Sequence, residues 1–417
     1  MYRQGKDTSL TINSLKFLYN LIRIIDIIQK LTCKCVFCLL CRRGFRSITG
    51  KDFPNRRLLS IGVFVHYQHQ ISTNYIRDRG DSMEKASSGI GHTVDEFIRL
   101  FPDKADIIER VRVLAERKIS EGSIGVLVQG GGGQIPVLFA RGRCLPEAWE
   151  HSLIAVFTFG TLLETQYDRE VDPPSRDSSM VMLVDAPLSE PMIHRSFPGG
   201  LEDLEEYRQE VVEGIKNHWV RNPDDPGDNR WEYTYNERMF SYRVPGLAEP
   251  VNQFEGMAQA LAASPITRRA QMISWQPWMD LGAYDPACWQ SLWGRITRDE
   301  LGTAFLNLNM RFRSRDAYKA AFMNDFAFID LAKKLSGRVS ELRGEEIRLG
   351  RFVDQSDSYH IYGSYFSEFF DGFLKLLFDR EDFGDRTWTM EFARPFFEEA
   401  RPVIAKKIAE QDRKYAR

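Results

Sequence analysis

One stretch of the sequence combines residue types that could carry out nucleophilic chemistry on an anion. Cys288 lies in DPACWQ, and the following segment MRFRSRDAYKAAFMN (310–324) holds three arginines and ends on Asn324. A free thiol, with a pKa near ~8.5, becomes a nucleophile when nearby positive charge stabilises its thiolate. Guanidinium groups also pair bidentately with phosphate oxygens. Together these residues predict a nucleotide site with a reactive thiol.

Composition narrows the range of partners. The 417 residues include 56 Lys+Arg and 58 Asp+Glu, which gives a formal net charge of −2. Bulk electrostatics therefore favours neither nucleic acid nor an anionic membrane. The apolar stretch 15–31 is interrupted by Arg23 and Asp26, whereas a spanning helix needs ~20 mostly apolar residues. We expect no nucleic-acid or membrane partner.

Residues 1–82 differ in composition from the rest of the chain. They contain 14 Lys+Arg, 5 Asp, 10 Ile and neither Glu nor Ala. Translation from a start codon upstream of Met83 is the favoured explanation, so 1–82 is predicted to be disordered or outside the native protein. A basic targeting segment is an alternative. A metal-binding appendage is another, since four cysteines lie close together: Cys33, Cys35, Cys38 and Cys41.

The other cysteines indicate the compartment. Cys144 and Cys288 are far apart in the sequence and do not form a disulfide framework. Such usage is typical of a reducing compartment. We expect a cytoplasmic protein with no metal in its site.

Residues 83–144 predict accessory helices followed by a hairpin. Apolar positions recur at helical spacing over 93–120, with a break at Pro102. The segment 124–142 predicts two strands joined by four glycines. No Gly-Lys-Ser/Thr follows those glycines, so a phosphate loop is disfavoured. Helical spacing returns at 145–164 and over 201–219.

The strand predicted at 306–313 has two chemically different faces. Leu306, Leu308, Met310 and Phe312 alternate with Asn307, Asn309, Arg311 and Arg313. A plain surface strand more often carries Lys, Glu or Thr, so the polar face predicts the wall of a cleft. The apolar sequence that follows predicts a buried helix that begins beside this cleft.

Several motifs, in their order along the chain, resemble thymidylate synthase and the related deoxycytidylate hydroxymethylases. The motifs are DPPSRDSS, WEYTYNERMF, SPITRRAQMISWQP, DPACWQ, FRSRD with the asparagine that ends FMN, and SDSYHIYGS. The resemblance covers roughly 145–417 and identifies this part as the catalytic domain. It implies an α/β (α+β) fold, in which a mixed sheet is flanked by helices and preceded by an N-terminal extension.

The resemblance implies one-carbon transfer to C5 of dUMP, giving dTMP. Cys288 would add to C6 as a thiolate, which makes C5 nucleophilic. Arg313 would supply the positive charge that lowers the pKa of the thiol. Tyr235 would position water or help to move the C5 proton.

The same resemblance assigns the substrate-binding residues. Asn324 can donate to and accept from the O4/N3–H edge of uracil, whereas the cytidylate hydroxymethylases use aspartate there; asparagine thus favours dUMP. In the family, a pair of arginines, here Arg268 and Arg269, reaches the site from the partner subunit, which implies a homodimer. The phosphate residues are Arg176, Arg268, Arg269, Arg313 and Ser314. His360 and Tyr362 would bind the sugar hydroxyl, and Asp316 would contact pyrimidine and cofactor.

The chain also departs from the family pattern. Trp289 stands where the family usually has histidine, and the helix carrying the catalytic glutamate maps loosely to 201–217, where Glu206 and Glu210 are equally eligible. The C-terminal EQDRKYAR lacks the family's short apolar tail. The expected donor is 5,10-methylenetetrahydrofolate or a related reduced pterin, such as tetrahydromethanopterin. Alternatives are hydroxymethylation of dUMP or dCMP, and a nucleotide-binding homologue without turnover.

Overall fold

A nine-stranded mixed sheet organises the protein. The computed structural model describes residues 94–222, 225 and 227–415, all within one compact unit. The strand order is β1-β2-β4-β10-β8-β7-β6, with β3 paired to β4 and β9 to β10. The strands are β1 (Ile124–Val128), β2 (Val137–Gly142), β3 (Thr161–Leu163), β4 (Ser175–Val184), β6 (Gln271–Ile273), β7 (Trp289–Arg298), β8 (Ala304–Phe312), β9 (Arg315–Asp316) and β10 (Ile347–Ile361).

Helices cover one face of this sheet. In chain order they are α1 (94–100), α2 (Ala105–Ser120), α3 (Leu145–Phe159), α4 (Leu201–Glu213), α5 (Tyr235–Phe240), α6 (Gln253–Ala263), α7 (Pro277–Asp280), α8 (Ala321–Arg343), α9 (Phe366–Phe369), α10 (Lys375–Asp379) and α11 (Met390–Tyr415). A π-helical segment, Phe370–Leu374, joins α9 to α10. Two further short strands, β5 (Ile193–His194) and β11 (Thr387–Trp388), pair separately. The expected α/β class with a mixed sheet is confirmed.

The local predictions for the first described residues are also confirmed. Helices α1 and α2 are separated by a 3₁₀ turn at Pro102–Lys104, because proline cannot continue the preceding helix. Strands β1 and β2 form an antiparallel pair, and Gly131–133 between them have positive φ. Strand β2 also pairs in parallel with β4, so the hairpin extends the main sheet.

The core lies between the sheet and the helices α3 and α8. Every residue of α3 except Glu147 is buried, and Leu331 and Leu335 of α8 are fully buried. An aromatic cluster packs at the end of α3, with the rings of Phe97 and Phe157 5.0 Å apart at near right angles. Such edge-to-face pairs contribute about 0.5–1.5 kcal/mol beyond area burial. This packing supports the strands that carry the site.

The opposite face of the sheet is only partly covered within one chain. Phe139, Val181, Phe305 and Val353 are partly buried on it, beside the exposed Asn309 and Arg311. The prediction that Leu306, Leu308, Met310 and Phe312 face the core is confirmed. The prediction that the polar face forms a cleft wall is wrong for the strand itself. Arg311 pairs with Asp357 at 2.9 Å on the open sheet, and only Arg313, beyond the strand end, reaches a cavity.

The predictions for the N-terminal extension fall on residues that the structure does not describe. Residues 1–82, with their four crowded cysteines, lie outside the described part of the chain. Among the residues that are described, no helix is both long enough and apolar enough to cross a membrane. Within the same residues, no group of three or more His, Cys, Asp or Glu side chains could hold a metal ion.

Candidate active site

A cavity of about 710 Å³ lies at the ends of the central strands and brings together most of the predicted site residues. A volume of this size is ordinary for a small-molecule site. The predicted residues that line it are Tyr235, Cys288, Arg313, Ser314, Asp316, Asn324, His360 and Tyr362. They come from β7, β8, β9, α5, α8 and β10 and the turns beside them, so only the folded chain places them together.

Strand pairing places Cys288 against Arg313. Trp289 of β7 is in register with Phe312 of β8, so the residues just outside this pair face each other. The Arg313 backbone N–H donates to the Cys288 carbonyl at 2.9 Å. The Arg313 Nη2 lies 3.5 Å from the Cys288 Sγ, and its Nε donates to the Ala287 carbonyl at 3.1 Å. The guanidinium is thereby held beside the thiol.

The electrostatics of Cys288 differ from the expectation. Burial raises the pKa of the thiol above its ordinary value, and Asp285 raises it further, although Arg313 and Arg315 lower it. Arg313 thus lowers the pKa of the thiol as expected, but the net pKa stays above the ordinary value. The physical reason is that loss of solvent around the sulfur outweighs the attraction to one partly buried guanidinium.

Tyr235 lies behind the sulfur. Its hydroxyl accepts a hydrogen bond from the Trp289 backbone N–H at 3.3 Å, and burial raises its pKa well above the ordinary range. Tyr235 is thus a neutral phenol. Trp289 itself is fully buried and packs on Phe328 with ring centroids 5.3 Å apart. The tryptophan therefore extends the core and does not line the cavity.

Asn324 lies in the first turn of α8, at the cavity wall. Its Nδ2 donates to the hydroxyl of Tyr207 at 2.6 Å. Tyr207 belongs to α4 and was missed by the sequence analysis, which considered only the glutamates of that helix. The sequence did offer a signal that Tyr207 contributes to the site. This tyrosine is next to the candidate glutamates and one helical turn from the residues of the apolar stripe.

His360 is held by a polar chain between β10 and β4. Ser358 Oγ donates to Asp177 Oδ2 at 2.8 Å and lies 3.1 Å from His360 Nδ1. Burial lowers the pKa of His360 to about 4. Its Nε2 is buried, and no described residue forms a hydrogen bond with it. Tyr362 packs against the imidazole with ring centroids 4.5 Å apart, so a neutral imidazole and a phenol share one side of the cavity.

Asp316 is fixed by the backbone that follows it. Its Oδ1 accepts the N–H groups of Tyr318 at 3.0 Å and Lys319 at 2.8 Å. Burial nevertheless raises the pKa of Asp316 to about 6. Its carboxyl group lines the cavity and is oriented before any ligand arrives.

A buried charge cluster lies beneath these residues. Arg315 donates to Asp325 at 2.7 Å and to Asp354, and all three side chains are almost completely buried. Burial raises the pKa of Asp354 to about 8. The cluster ties β9 to α8 and β10, three elements that carry Asp316, Asn324 and His360. The cluster was not predicted from the sequence. The acids inside the apolar runs FMNDF and RFVDQ were a signal that carboxyl groups would be buried.

Arg176 is not in the cavity. The strand β4 begins at Ser175, so Arg176 belongs to a strand and not to a loop. Side-chain alternation then directs Arg176 into the core, where it donates to the Gly160 carbonyl at 2.6 Å and stacks over Phe97. The prediction that Arg176 binds phosphate is at odds with this position. The segment predicted to form a phosphate loop is a strand here, and it buries the guanidinium away from the cavity.

Arg268 and Arg269 lie elsewhere on the chain. Both are exposed, in the turn before β6, and neither lines the cavity. Among the described residues, the cavity lining contains four acids, Glu164, Asp177, Asp285 and Asp316, and two cations, Arg313 and Arg315. Since Arg315 is already engaged by two carboxylates, a dianionic phosphate finds little positive charge within one chain.

The two candidate glutamates occupy different places. Glu210 lines a second cavity of about 450 Å³, together with Tyr207, Trp231 and Tyr233. This cavity shares Tyr235 and Asp285 with the first. Both glutamates pair with Lys216, Glu206 at 2.8 Å and Glu210 at 2.9 Å, but Glu206 also lies 3.6 Å from Lys407 and lines neither cavity. Of the two glutamates, Glu210 is therefore the one beside the site.

Comparison with known proteins gives low but consistent similarity. The chain matches no family model. It is 26% identical over 202 residues to a protein named "Putative thymidylate synthase" from Methanocaldococcus jannaschii, covering 44% of this chain and 76% of that protein. It is 23% identical over 223 residues to a protein of the same name from Methanosarcina acetivorans, covering 53% and 88%.

A solved structure was also found. Thermostable thymidylate synthase A from Bacillus subtilis aligns with a TM-score of 0.41 and 17% sequence identity, over 58% of this chain and 86% of that one. Both sequence relatives carry the name of the family that the motifs resemble. At this low identity, the relatives support a divergent thymidylate synthase-like family for this chain.

Proposed function

We propose that this protein transfers a one-carbon unit to C5 of dUMP, with Cys288 as the nucleophile, and forms dTMP. The observation that carries the proposal is the 3.5 Å contact between Cys288 Sγ and Arg313 Nη2. This contact lies in a cavity that also presents Asn324, His360 and Tyr362. Nucleophile, cation and hydrogen-bonding groups for a pyrimidine nucleotide therefore converge in one place.

The role of the thiol follows from the chemistry of uracil. C5 of uracil is a poor nucleophile, and addition of a thiolate at C6 moves an electron pair onto C5 and O4. The thiol must lose its proton first, and Arg313 stabilises the resulting thiolate. The same guanidinium and the Ser314 hydroxyl are available to phosphate oxygens.

The proposed base and sugar contacts come from different elements, α8 and β10. Asn324 presents an amide to the O4/N3–H edge, where it also stabilises negative charge that develops on O4. His360 Nε2, buried and without a described partner, is suited to a sugar hydroxyl. Tyr362 lies beside it. Tyr235 is a neutral phenol near neutral pH and therefore does not act as a base. Its hydroxyl can instead donate a hydrogen bond to a water molecule that accepts the C5 proton.

The charge balance of the cavity supports a homodimer. Four acids and two cations line it, so a second copy that inserts Arg268 and Arg269 would supply the missing positive charge. Both arginines are exposed and available. The open face of the sheet, with its partly buried Phe139, Phe305 and Val353, offers a surface for that copy. A symmetric dimer would complete two sites at once.

The second cavity fits a reduced pterin. Trp231, Tyr233 and Tyr235 offer aromatic surfaces for a flat ring, and Glu210 offers a carboxylate for its N–H edge. Glu210 pairs with Lys216 at 2.9 Å, although burial raises its pKa. A reduced pterin, such as 5,10-methylenetetrahydrofolate, would supply when bound both the one-carbon unit and the hydride that reduces it to a methyl group. The two cavities share Tyr235, so a pterin bound in one would lie next to a nucleotide bound in the other.

Release of tritium from dUMP labelled at C5 tests the proposal. With 5,10-methylenetetrahydrofolate, we expect tritium to enter water and Cys288→Ala to abolish this release. Cys144→Ala is the matched control, because that buried cysteine lies outside the cavity. Product mass separates dTMP from a hydroxymethyl nucleotide. Binding of dUMP without tritium release, with either folate or methanopterin donors, would instead identify a non-catalytic homologue.

A further inference from the structure

The helix α4 presents a phenol, and not a carboxylate, to Asn324. Tyr207 Oη accepts from Asn324 Nδ2 at 2.6 Å. The neighbouring glutamates have other partners, since Glu206 and Glu210 both pair with Lys216. Tyr207 lines the second cavity and not the first. It therefore reaches Asn324 from behind, away from the space for the nucleotide.

The orientation of the Asn324 amide decides which base it can read. Uracil presents the acceptor O4 beside the donor N3–H, whereas cytosine presents the donor N4–H₂ beside the acceptor N3. The two bases thus require opposite orders of the amide oxygen and nitrogen. An amide that is free to turn by 180° can satisfy either base. An amide held in one orientation can satisfy only one of them.

Tyr207 supplies the constraint on that orientation. Burial raises its pKa well above the ordinary range, so it remains a phenol with one hydrogen to donate. The negative charge of Glu210 acts on the same hydroxyl and favours the rotamer in which its hydrogen turns toward the carboxylate. The oxygen lone pairs then face Asn324 and accept from Nδ2. The amide oxygen and the second Nδ2 hydrogen are left for the base.

We infer that Tyr207 is a positioning residue that locks the Asn324 amide in the order read by uracil, and so sets the preference for dUMP over dCMP. The inference rests on the proposed function, which identifies the base as uracil. It extends that function by assigning specificity to a residue that does not touch the substrate. Glu210 takes part by orienting the Tyr207 hydroxyl.

Nucleotide binding to Tyr207→Phe tests this inference. Calorimetry would give the dissociation constants of dUMP and dCMP for the full-length wild type and for the variant. Loss of one hydrogen bond that discriminates between two amide orientations corresponds to about a tenfold fall in the dCMP/dUMP ratio of dissociation constants. A merely structural loss would weaken both nucleotides alike and leave the ratio unchanged.

Tyr242→Phe is the matched control. It removes another hydroxyl, which donates to the Trp275 carbonyl at 2.8 Å, away from both cavities; the ratio should stay at the wild-type value. Glu210→Gln is a second, independent variant and should lower the ratio in the same direction as Tyr207→Phe. An unchanged ratio in both variants would overturn the inference. Failure of the wild type to bind either nucleotide would instead overturn the proposed function.

Discussion

The sulfur of Cys288 and the guanidinium of Arg313 are neighbours because their residues flank one register pair of two antiparallel strands. Trp289 pairs with Phe312, and the next residue on each strand end lies at the cavity. The Nη2–Sγ distance is 3.5 Å. The thiol therefore experiences two opposed effects, burial that raises its pKa and a guanidinium that lowers it. The balance between them is measurable.

Replacing Arg313 should make the thiol less acidic. In Arg313→Gln we expect the pH midpoint for alkylation of Cys288 by iodoacetamide to rise by about one unit, because an opposite charge this close lowers a pKa by ~1–3 units. Peptide mass spectrometry would follow Cys288 separately from the other cysteines. Arg311→Gln, which removes an exposed guanidinium on the open sheet, should leave the midpoint in place. An equal midpoint in Arg313→Gln and wild type would contradict the assigned role.

The proposed dimer predicts complementation between two inactive proteins. Cys288→Ala lacks the nucleophile, and the double variant Arg268→Ala with Arg269→Ala lacks the arginines that would serve the other subunit. Mixed dimers would contain one complete site, so random mixing should restore about a quarter of wild-type tritium release. The measurement is activity after mixing, unfolding and refolding of the two variants together. Activity that stays at the level of the separate variants would argue against shared sites.

The members of the buried cluster around Arg315 should contribute unequally to the free energy of unfolding. Removing the cation with Arg315→Met leaves buried carboxylates without their partner and should cost about 3–5 kcal/mol in the free energy of unfolding. Burial raises the pKa of both Asp325 and Asp354, and with one cation between the two carboxyl groups we expect Asp354 to be the acid that keeps a proton at pH 7. Asp354→Asn should therefore cost less than about 1 kcal/mol.

Asp325→Asn provides the comparison for that cluster. Asp325 accepts from Arg315 at 2.7 Å and is the carboxylate expected to balance its charge. We expect this variant to cost about as much as the loss of the cation, roughly 3 kcal/mol. Urea unfolding at pH 7 would measure all three variants. Equal costs for Asp325→Asn and Asp354→Asn would show that both acids are ionised.

His360 should make the protein sensitive to mild acid. Its pKa is lowered from 6.5 to about 4 by burial, so between these values the unfolded chain binds a proton that the folded chain does not. Stability from this group is present above pH 6.5 and is lost as the pH falls toward 4. The loss between pH 7 and pH 5 amounts to about 2 kcal/mol.

The variant His360→Asn should remove that part of the pH dependence. Urea unfolding of wild type and variant at pH 7 and pH 5 gives four free energies, and the difference between the two pH intervals isolates the contribution of His360. Other acids titrate equally in both proteins and cancel. A wild-type interval no larger than that of the variant would mean that the imidazole takes up a proton in the folded protein at least as readily as in the unfolded chain, against a lowered pKa.

Much of the local structure was predictable from periodicity. Alternation over 306–313 predicted the buried face of β8, and apolar spacing predicted α3, α4 and α8, because one face of each element must leave water. The cleft wall was mispredicted for the same reason. Alternation says that Asn309 and Arg311 share a face, but it does not say whether that face meets a cavity or open solvent.

The sequence by itself determined which groups were available: one thiol followed by an arginine motif, an asparagine, and a histidine with a nearby tyrosine, in an order that resembles one family. Only the tertiary structure decided which of them meet. Strand register brought Arg313 to Cys288. The start of β4 at Ser175 made Arg176 part of a strand and directed its side chain into the core. It also revealed Tyr207 behind Asn324 and the cluster around Arg315. These contacts join residues far apart in the chain, and their existence depends on packing and desolvation, which no local pattern of residue types encodes.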